Sequence, residues 1–139
     1  MTDTASFSVY EMKSFVPVKE SIEDAEEFVR LFLEQNEVSL KVATKINIVM
    51  DEMYSNVVFY SKASECQVKM GLTKEEICLI LEDNGSAYNP LEKKDPDINL
   101  SAEEREIGGL GIFMSKKIMD TLDYSYEGGH NILEMRKKL

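Results

Sequence analysis

Apolar residues recur at helical spacing in the first half of the chain. Ile22, Ala25, Phe28, Val29, Phe32 and Leu33 stand three and four apart, which puts them on one face of a helix. Ser21 and Asp24 read as a capping pair at its start, and Asn36 as its end. A second stripe, Leu40, Ala43, Ile46, Met50, Met53, Val57 and Tyr60, predicts a helix from near Ser39 to about Tyr60. The period then changes to two. Cys66, Val68, Met70 and Leu72 alternate with polar residues, and Ile77 to Leu81 is a nearly continuous apolar run, so both segments read as strands. A third helix follows the glycines at 108, 109 and 111 and is expected to reach about Leu122. Tyr124 to Tyr126 and Asn131 to Arg136 flank Gly128-Gly129 and predict a hairpin with a glycine turn. Phe7 to Val18 reads as a short strand leading into the first helix.

The predicted order is β, α, α, β, β, loop, α, β, β. Neighbouring strands that hairpin, with about three helices, imply a two-layer α/β sandwich: a mostly antiparallel, mixed sheet with the helices on one face. No repeat, low-complexity tract or linker divides the chain, so residues 1–139 are expected to form one domain. A chain of this length typically buries roughly two-thirds of its unfolded surface.

Composition narrows the function classes. The formal net charge is -10. An acidic surface argues against sequence-independent binding to nucleic acid or anionic lipid, which need a basic footprint. It leaves nucleotide binding open, because backbone amides, helix N-termini and a divalent cation can neutralise phosphate without many lysines. Neither a signal peptide nor an apolar run of membrane-spanning length is visible, so a soluble cytoplasmic protein is expected. Cys66 and Cys78 lie in apolar stretches and read as reduced core thiols.

Three short segments carry candidate chemistry. In Asp51-Glu52-Met53-Tyr54-Ser55-Asn56, Glu52 and Asn56 are four apart and share a helix face. A carboxylate beside a carboxamide suits a proton transfer next to a hard divalent cation, although the spacing equally fits the solvated edge of an amphipathic helix. Asp83-Asn84-Gly85 ends a buried strand. A carboxylate held there can accept a hydrogen bond from an amino group of a flat ligand, and Gly85 permits close approach; the same residues also make an ordinary turn. Gly108-Gly109-Leu110-Gly111-Ile112 enters a helix, where exposed amides and the helix dipole favour an anion. It is not a P-loop, and it does not follow a strand directly as a Rossmann fingerprint would.

Taken in this order, the segments resemble the N, G1 and G2 boxes of the GHKL (Bergerat-fold) ATPase superfamily: Glu52-x-x-x-Asn56, Asp83-x-Gly85, and Gly109-x-Gly111 with Gly108. The likeness covers nearly the whole chain and is strongest to the short anti-sigma-factor serine/threonine kinase branch (RsbW-like). Phe15 to Leu33 resembles that branch's opening strand and helix. Tyr88-Asn89-Pro90-Leu91 resembles its Phe-Asp-Pro-Leu segment, and Gly129 to Leu133 its closing hairpin.

The resemblance implies roles. Glu52 would be the general base and Asn56 the ligand of Mg²⁺. Asp83 would read the adenine amino group of ATP, with Gly85 leaving room for the base. Gly108, Gly109 and Gly111 would wrap the phosphates, with amides near Leu110 and Ile112 turned inward. Asn89 to Ile107 would form a lid, with Arg105, Lys93 and Lys94 offsetting phosphate charge. Implied partners are a STAS-type anti-sigma-factor antagonist as phosphoacceptor and a sigma factor, with a homodimer compatible with both. Two features depart from the pattern. The stretch after Asn56, Val57-Val58-Phe59-Tyr60-Ser61, lacks the usual basic residue, and the lid is short and acidic. His130, the one histidine, sits at a hairpin turn and not on a dimerising helix, so a phosphoacceptor histidine is not expected. The alternative reading is a nucleotide-gated binding module of the same fold that transfers no phosphate.

Overall fold

The computed structural model describes residues 6–92 and 109–139. The elements run β1 (Val9–Phe15), α1 (Ile22–Gln35), α2 (Leu40–Asn56), β2 (Cys66–Leu72), β3 (Glu76–Asp83), α3 (Gly109–Ile118), β4 (Thr121–Glu127) and β5 (His130–Lys138). This is the order that the hydrophobic pattern predicts. The strands form one sheet in the order β1-β2-β3-β5-β4. Among the described residues every pairing is antiparallel, which corrects the expectation of a mixed sheet. The reason is topological. β3 and β4 run the same way, but β5 returns from its glycine turn and inserts between them, so they never pair.

One face of the sheet carries the core. Cys66, Val68 and Met70 of β2, Ile77, Leu79 and Leu81 of β3, and Leu133 and Met135 of β5 all point to the helix layer. Against them pack Ala25, Val29, Phe32 and Leu33 of α1, Ile46, Val49, Met50 and Met53 of α2, and Ile112 of α3. Burial of both thiols pushes their pKa values up, that of Cys78 to about 12, so neither is a reactive nucleophile. Among the described residues no helix is long and apolar enough to cross a membrane.

Several element ends differ from the sequence expectation. Ser21 does not cap α1 with its side chain. A 3₁₀ turn at Lys19–Ser21 precedes the helix, and the Ser21 hydroxyl donates to the Val18 carbonyl and lies 2.7 Å from the Tyr54 hydroxyl. It therefore ties α1 to α2. Ser39 does cap α2, accepting from the Val42 amide at 3.3 Å. The buried stripe of α2 is Val42, Ile46, Val49, Met50, Met53 and Tyr54. Leu40, at the first helical position, is 82% exposed. The regular helix stops at Asn56 and widens into a π-turn, Val57–Ser61, which turns Tyr60 outward. α3 ends at Ile118 and not near Leu122, because Leu122 pairs with Met135 in the sheet. Gly128 and Gly129 have φ of +58° and +81°, the left-handed pair that a two-residue hairpin turn requires.

The other sheet face covers itself with charge. Lys69, Glu82 and His130 stand in a row across β2, β3 and β5, at 2.8 Å and 2.6 Å. Burial acts to raise the Glu82 pKa, but hydrogen bonds with Lys69 and His130 outweigh it and hold this carboxyl below its ordinary value. In the seam between α1 and α2, Glu26 meets Asp51. Burial first, then the hydrogen bond and like charge of Asp51, push the Glu26 pKa up to about 7.

Two stability predictions follow from this packing. Met135→Ala should cost about 2–5 kcal/mol in urea unfolding, since it empties space in a fully buried layer, while Leu40→Ala should be near neutral. Comparable losses would contradict the core assignment. The Glu26 carboxyl binds its proton more tightly folded than unfolded, so its contribution is fully present below the unfolded value of 4.5 and is lost as pH rises through about 7. Glu26→Gln should therefore gain stability over wild type between about pH 5 and about pH 8. Parallel pH–stability curves for the two proteins would refute the shared proton.

Candidate functional site

The last residue of β3 and the second residue of β5 stand directly opposite each other: Asp83 pairs with Asn131. Both are buried. The Asn131 amide Nδ2 donates to Asp83 Oδ1 at 2.9 Å and to the Ser86 carbonyl at 2.8 Å. Its Oδ1 accepts from the Tyr88 backbone amide at 2.9 Å and from the Tyr124 hydroxyl. Asn131 thus uses both ends of its carboxamide to hold the β3–β5 junction and the segment 83–88 in one shape. Asp83 Oδ1 also accepts from the Gly85 amide at 2.9 Å, which starts the turn. Both bonds fall on one carboxylate oxygen, and Asp83 lines the cavity beside it.

That cavity is lined by Met53, Asn56, Leu81, Asp83, Tyr88 and Leu133, among others, and holds about 20 Å³, room for roughly one water. Its walls are mostly apolar, with the polar groups converging from Asp83, Asn131 and Asn56. Asn56 is 8% exposed, and among the described residues its Nδ2 has no hydrogen-bond partner. A buried, unpaired amide end costs about 1–3 kcal/mol, so it marks a place where a partner belongs. Turning the carboxamide over would present its acceptor Oδ1 there in place of the Nδ2 donor.

Gly85 lies against the π-turn. A Cβ on it would collide with the Ser61 carbonyl and stand 3.0 Å from the Ala63 nitrogen. The Ser86 amide donates to the same Ser61 carbonyl at 2.8 Å. The residue's smallness therefore joins the end of β3 to the end of α2, and the stacked rings of Tyr60 and Tyr88 sit over this joint, 5.6 Å apart.

Glu52 lies one helical turn before Asn56 but opens elsewhere. It lines a groove of about 750 Å³ between α1, α2 and α3, together with Glu26, Asp51, Ile48, Gly111 and Met114. Gly111 abuts the Glu52 carboxyl so closely that a Cβ there would overlap it. Ile112 is fully buried in the core, so anything it offers a ligand comes from its backbone. Gly109 and Leu110 open α3. Arg105, Gly108 and the lid beyond Glu92, with Lys93 and Lys94, lie outside the described residues.

The structure thus brings Asn56 and Asp83 to one cavity, with Glu52 and Gly111 together in a neighbouring groove. Sequence reasoning missed the part played by Asn131, Tyr124 and Ser61. Asn131 becomes visible as a site residue only once the β3–β5 register is known. The residues suit an adenine nucleotide with a divalent cation: a buried carboxylate acceptor at the end of a strand, a carboxamide lining the same cavity whose Nδ2 is unpaired among the described residues, and glycines where backbones come closest.

The model of the histidine kinase-like ATPase domain matches residues 15–137. The serine/threonine-protein kinase BtrW of Bordetella bronchiseptica is 25% identical over 101 residues, covering 70% of this chain and 71% of its own. An anti-sigma F factor of Clostridium perfringens is 25% identical over 118 residues, covering 80% and 83%. Among solved structures, the RsbU and RsbW domains of Rv1364c from Mycobacterium tuberculosis superpose with a TM-score of 0.69 at 12% identity, covering 95% of this chain and 33% of that one. This chain thus spans a third of that longer protein. The SiaB–SiaC complex of Pseudomonas aeruginosa gives 0.60 at 16% identity, covering 96% and 90%. At these identities the structural likeness speaks to the fold alone. A family match over nearly the whole chain, on a sheet and helix layer that carry the expected site residues, settles the assignment: this chain belongs to the histidine kinase-like ATPase domain family.

Proposed function

We propose that this chain is an ATP-dependent protein serine kinase and anti-sigma regulatory factor, acting on a STAS-type anti-sigma-factor antagonist and binding a sigma factor as a homodimer. The observation that carries it is the buried carboxamide of Asn56, its Nδ2 unpartnered among the described residues, in the same cavity as Asp83 and one helical turn from Glu52. The names of the relatives, a serine/threonine kinase and an anti-sigma F factor, support the same reading.

In this reading Asp83 accepts from the adenine amino group, and Asn131 keeps that carboxylate aligned. Asn56 is the protein ligand of Mg²⁺, which when bound neutralises phosphate charge. The backbone from Gly108 to Ile112 supplies amides to the phosphates, with Arg105 adding charge. Glu52 takes the proton of the phosphoacceptor serine as its oxygen attacks the γ-phosphorus, and ADP leaves. Residues 1–139 then act as one cytoplasmic domain.

One observation favours a second reading. Glu52 lines a different groove from Asn56 and Asp83 and is packed against Gly111. A module that binds a partner in its ATP state without phosphotransfer would have this arrangement at rest.

The variant Glu52→Gln separates the two. It keeps size and hydrogen-bond reach but loses basicity. Transfer of label from γ-labelled ATP to the co-purifying antagonist should fall by about 10²–10⁴-fold, with ATP affinity nearly unchanged. Wild-type transfer by this variant would remove Glu52 as the base. Partner capture that depends on ATP, with no transfer by the wild type, would establish the binding module instead.

A further inference from the structure

The cavity beside Asp83 is too small for the ligand that its residues suit. It holds about 20 Å³, where sites for small molecules and cofactors typically hold about 300–1,000 Å³. A flat base reaches Asp83 only if a wall moves. Most of the walls are fixed. Met53, Leu81 and Leu133 belong to the core. Asp83, Asn131 and Tyr124 are tied together by hydrogen bonds across the sheet. Pro90 is buried and has no side chain to turn. The π-turn is tied to the segment after β3 through the Ser61 carbonyl and the Ser86 amide.

Tyr88 is the large side chain of the lining that can turn. Its backbone is pinned on both sides. The Tyr88 amide donates to Asn131 at 2.9 Å, and the Asn89 side chain accepts from the Leu91 amide at 2.9 Å, where a 3₁₀ turn, Pro90–Glu92, begins. The ring itself is half-buried and stacks on Tyr60, with centroids 5.6 Å apart and planes 19° from parallel. Tyr60 comes from the π-turn and is 49% exposed, so water replaces its contacts easily. Rotation of the Tyr88 side chain between staggered wells therefore opens the cavity without breaking a backbone hydrogen bond.

We propose that Tyr88 is a gate on the base site and Tyr60 its latch. The Tyr88 ring, stacked on Tyr60, closes the cavity, and the nucleotide binds from conformers in which that ring has turned away. The proposal rests on the nucleotide site of the reading above, and not on phosphotransfer. Its consequence is quantitative. When the competent conformer is a minor one, apparent affinity and association rate are both reduced by its fraction. A stacked aromatic pair shifts such an equilibrium by about two- to tenfold. Removing the latch should therefore raise the open fraction by about that factor, and it touches neither Asp83 nor Asn56. A ring that served as a wall for the bound base would act in the opposite sense: its loss would hasten departure and leave arrival unchanged.

The test is stopped-flow binding of a fluorescent ATP analogue with Mg²⁺ to the full chain, which separates association from dissociation, with circular dichroism melts as folding controls. Tyr60→Ala should raise the association rate constant about two- to tenfold and leave dissociation unchanged. Tyr60→Phe keeps a ring to stack and should behave like wild type. Tyr88→Ala removes the gate itself and should associate at least as fast as Tyr60→Ala; should it not fold, Tyr60→Ala decides alone. Binding by Tyr60→Ala where wild type binds too slowly to measure would support the gate further. Association unchanged or slowed in folded Tyr60→Ala overturns the gate while leaving the nucleotide site. Failure of folded wild type and Tyr60→Ala alike to bind the analogue overturns the gate and the nucleotide site together.

Discussion

The hydrogen bonds that Asn131 makes at the junction of β3 and β5 hold the site's shape. One carboxamide, opposite Asp83 in the strand register, satisfies the aspartate, the Ser86 carbonyl, the Tyr88 amide and the Tyr124 hydroxyl. These bonds fix the position of the Asp83 carboxylate on the sheet itself. The antiparallel β3–β5 register therefore reaches into the cavity beside Asp83. An edge strand, β4, contributes through Tyr124.

The second constraint is how closely backbones approach at two glycines. Gly85 lets the end of β3 touch the π-turn that closes α2, and Gly111 lets the start of α3 touch Glu52. Both contacts converge on α2, the helix that carries Glu52 and Asn56. The π-turn belongs to the same arrangement. By widening the helix after Asn56 it directs the Ser61 carbonyl to the Ser86 amide and places Tyr60 against Tyr88. Extra residues per turn of this kind recur where a helix end must serve a site.

Much of the fold was legible because two periodicities dominate the chain. The α1 stripe from Ile22 to Leu33 and the alternation in Cys66 to Leu72 both turned out as read, and the Gly128-Gly129 hairpin formed as its turn chemistry demands. The errors fell at element ends. Tertiary pairing took Leu122 into the sheet, and the Ser21 hydroxyl turned to Tyr54 and not to its own helix. Leu40 and Tyr60 matched the period of α2 yet are exposed, because the ends of a helix extend past the surface they cover. The candidate site was legible only as far as its local spacing. Glu52 to Asn56 and Asp83 to Gly85 are short-range patterns. Asn131 acts on Asp83 across 48 positions, a separation at which only strand register carries the information. Nor could spacing show that Glu52 faces a groove apart from the cavity of Asn56.

The central claim is that Asp83, held by Asn131, is the adenine-reading acceptor of a nucleotide site. Isothermal titration of wild type and Asp83→Asn with Mg·ATP, and of wild type with Mg·GTP, tests it most directly. A hydrogen bond to a charged acceptor is worth about 1.5–3 kcal/mol, so the variant should bind ATP roughly ten- to a hundredfold more weakly while melting as a folded protein. Wild type should prefer ATP to GTP, because guanine offers a carbonyl where adenine offers an amino donor. Absence of any binding to the folded wild type, or equal affinity of both proteins for ATP, would contradict the account.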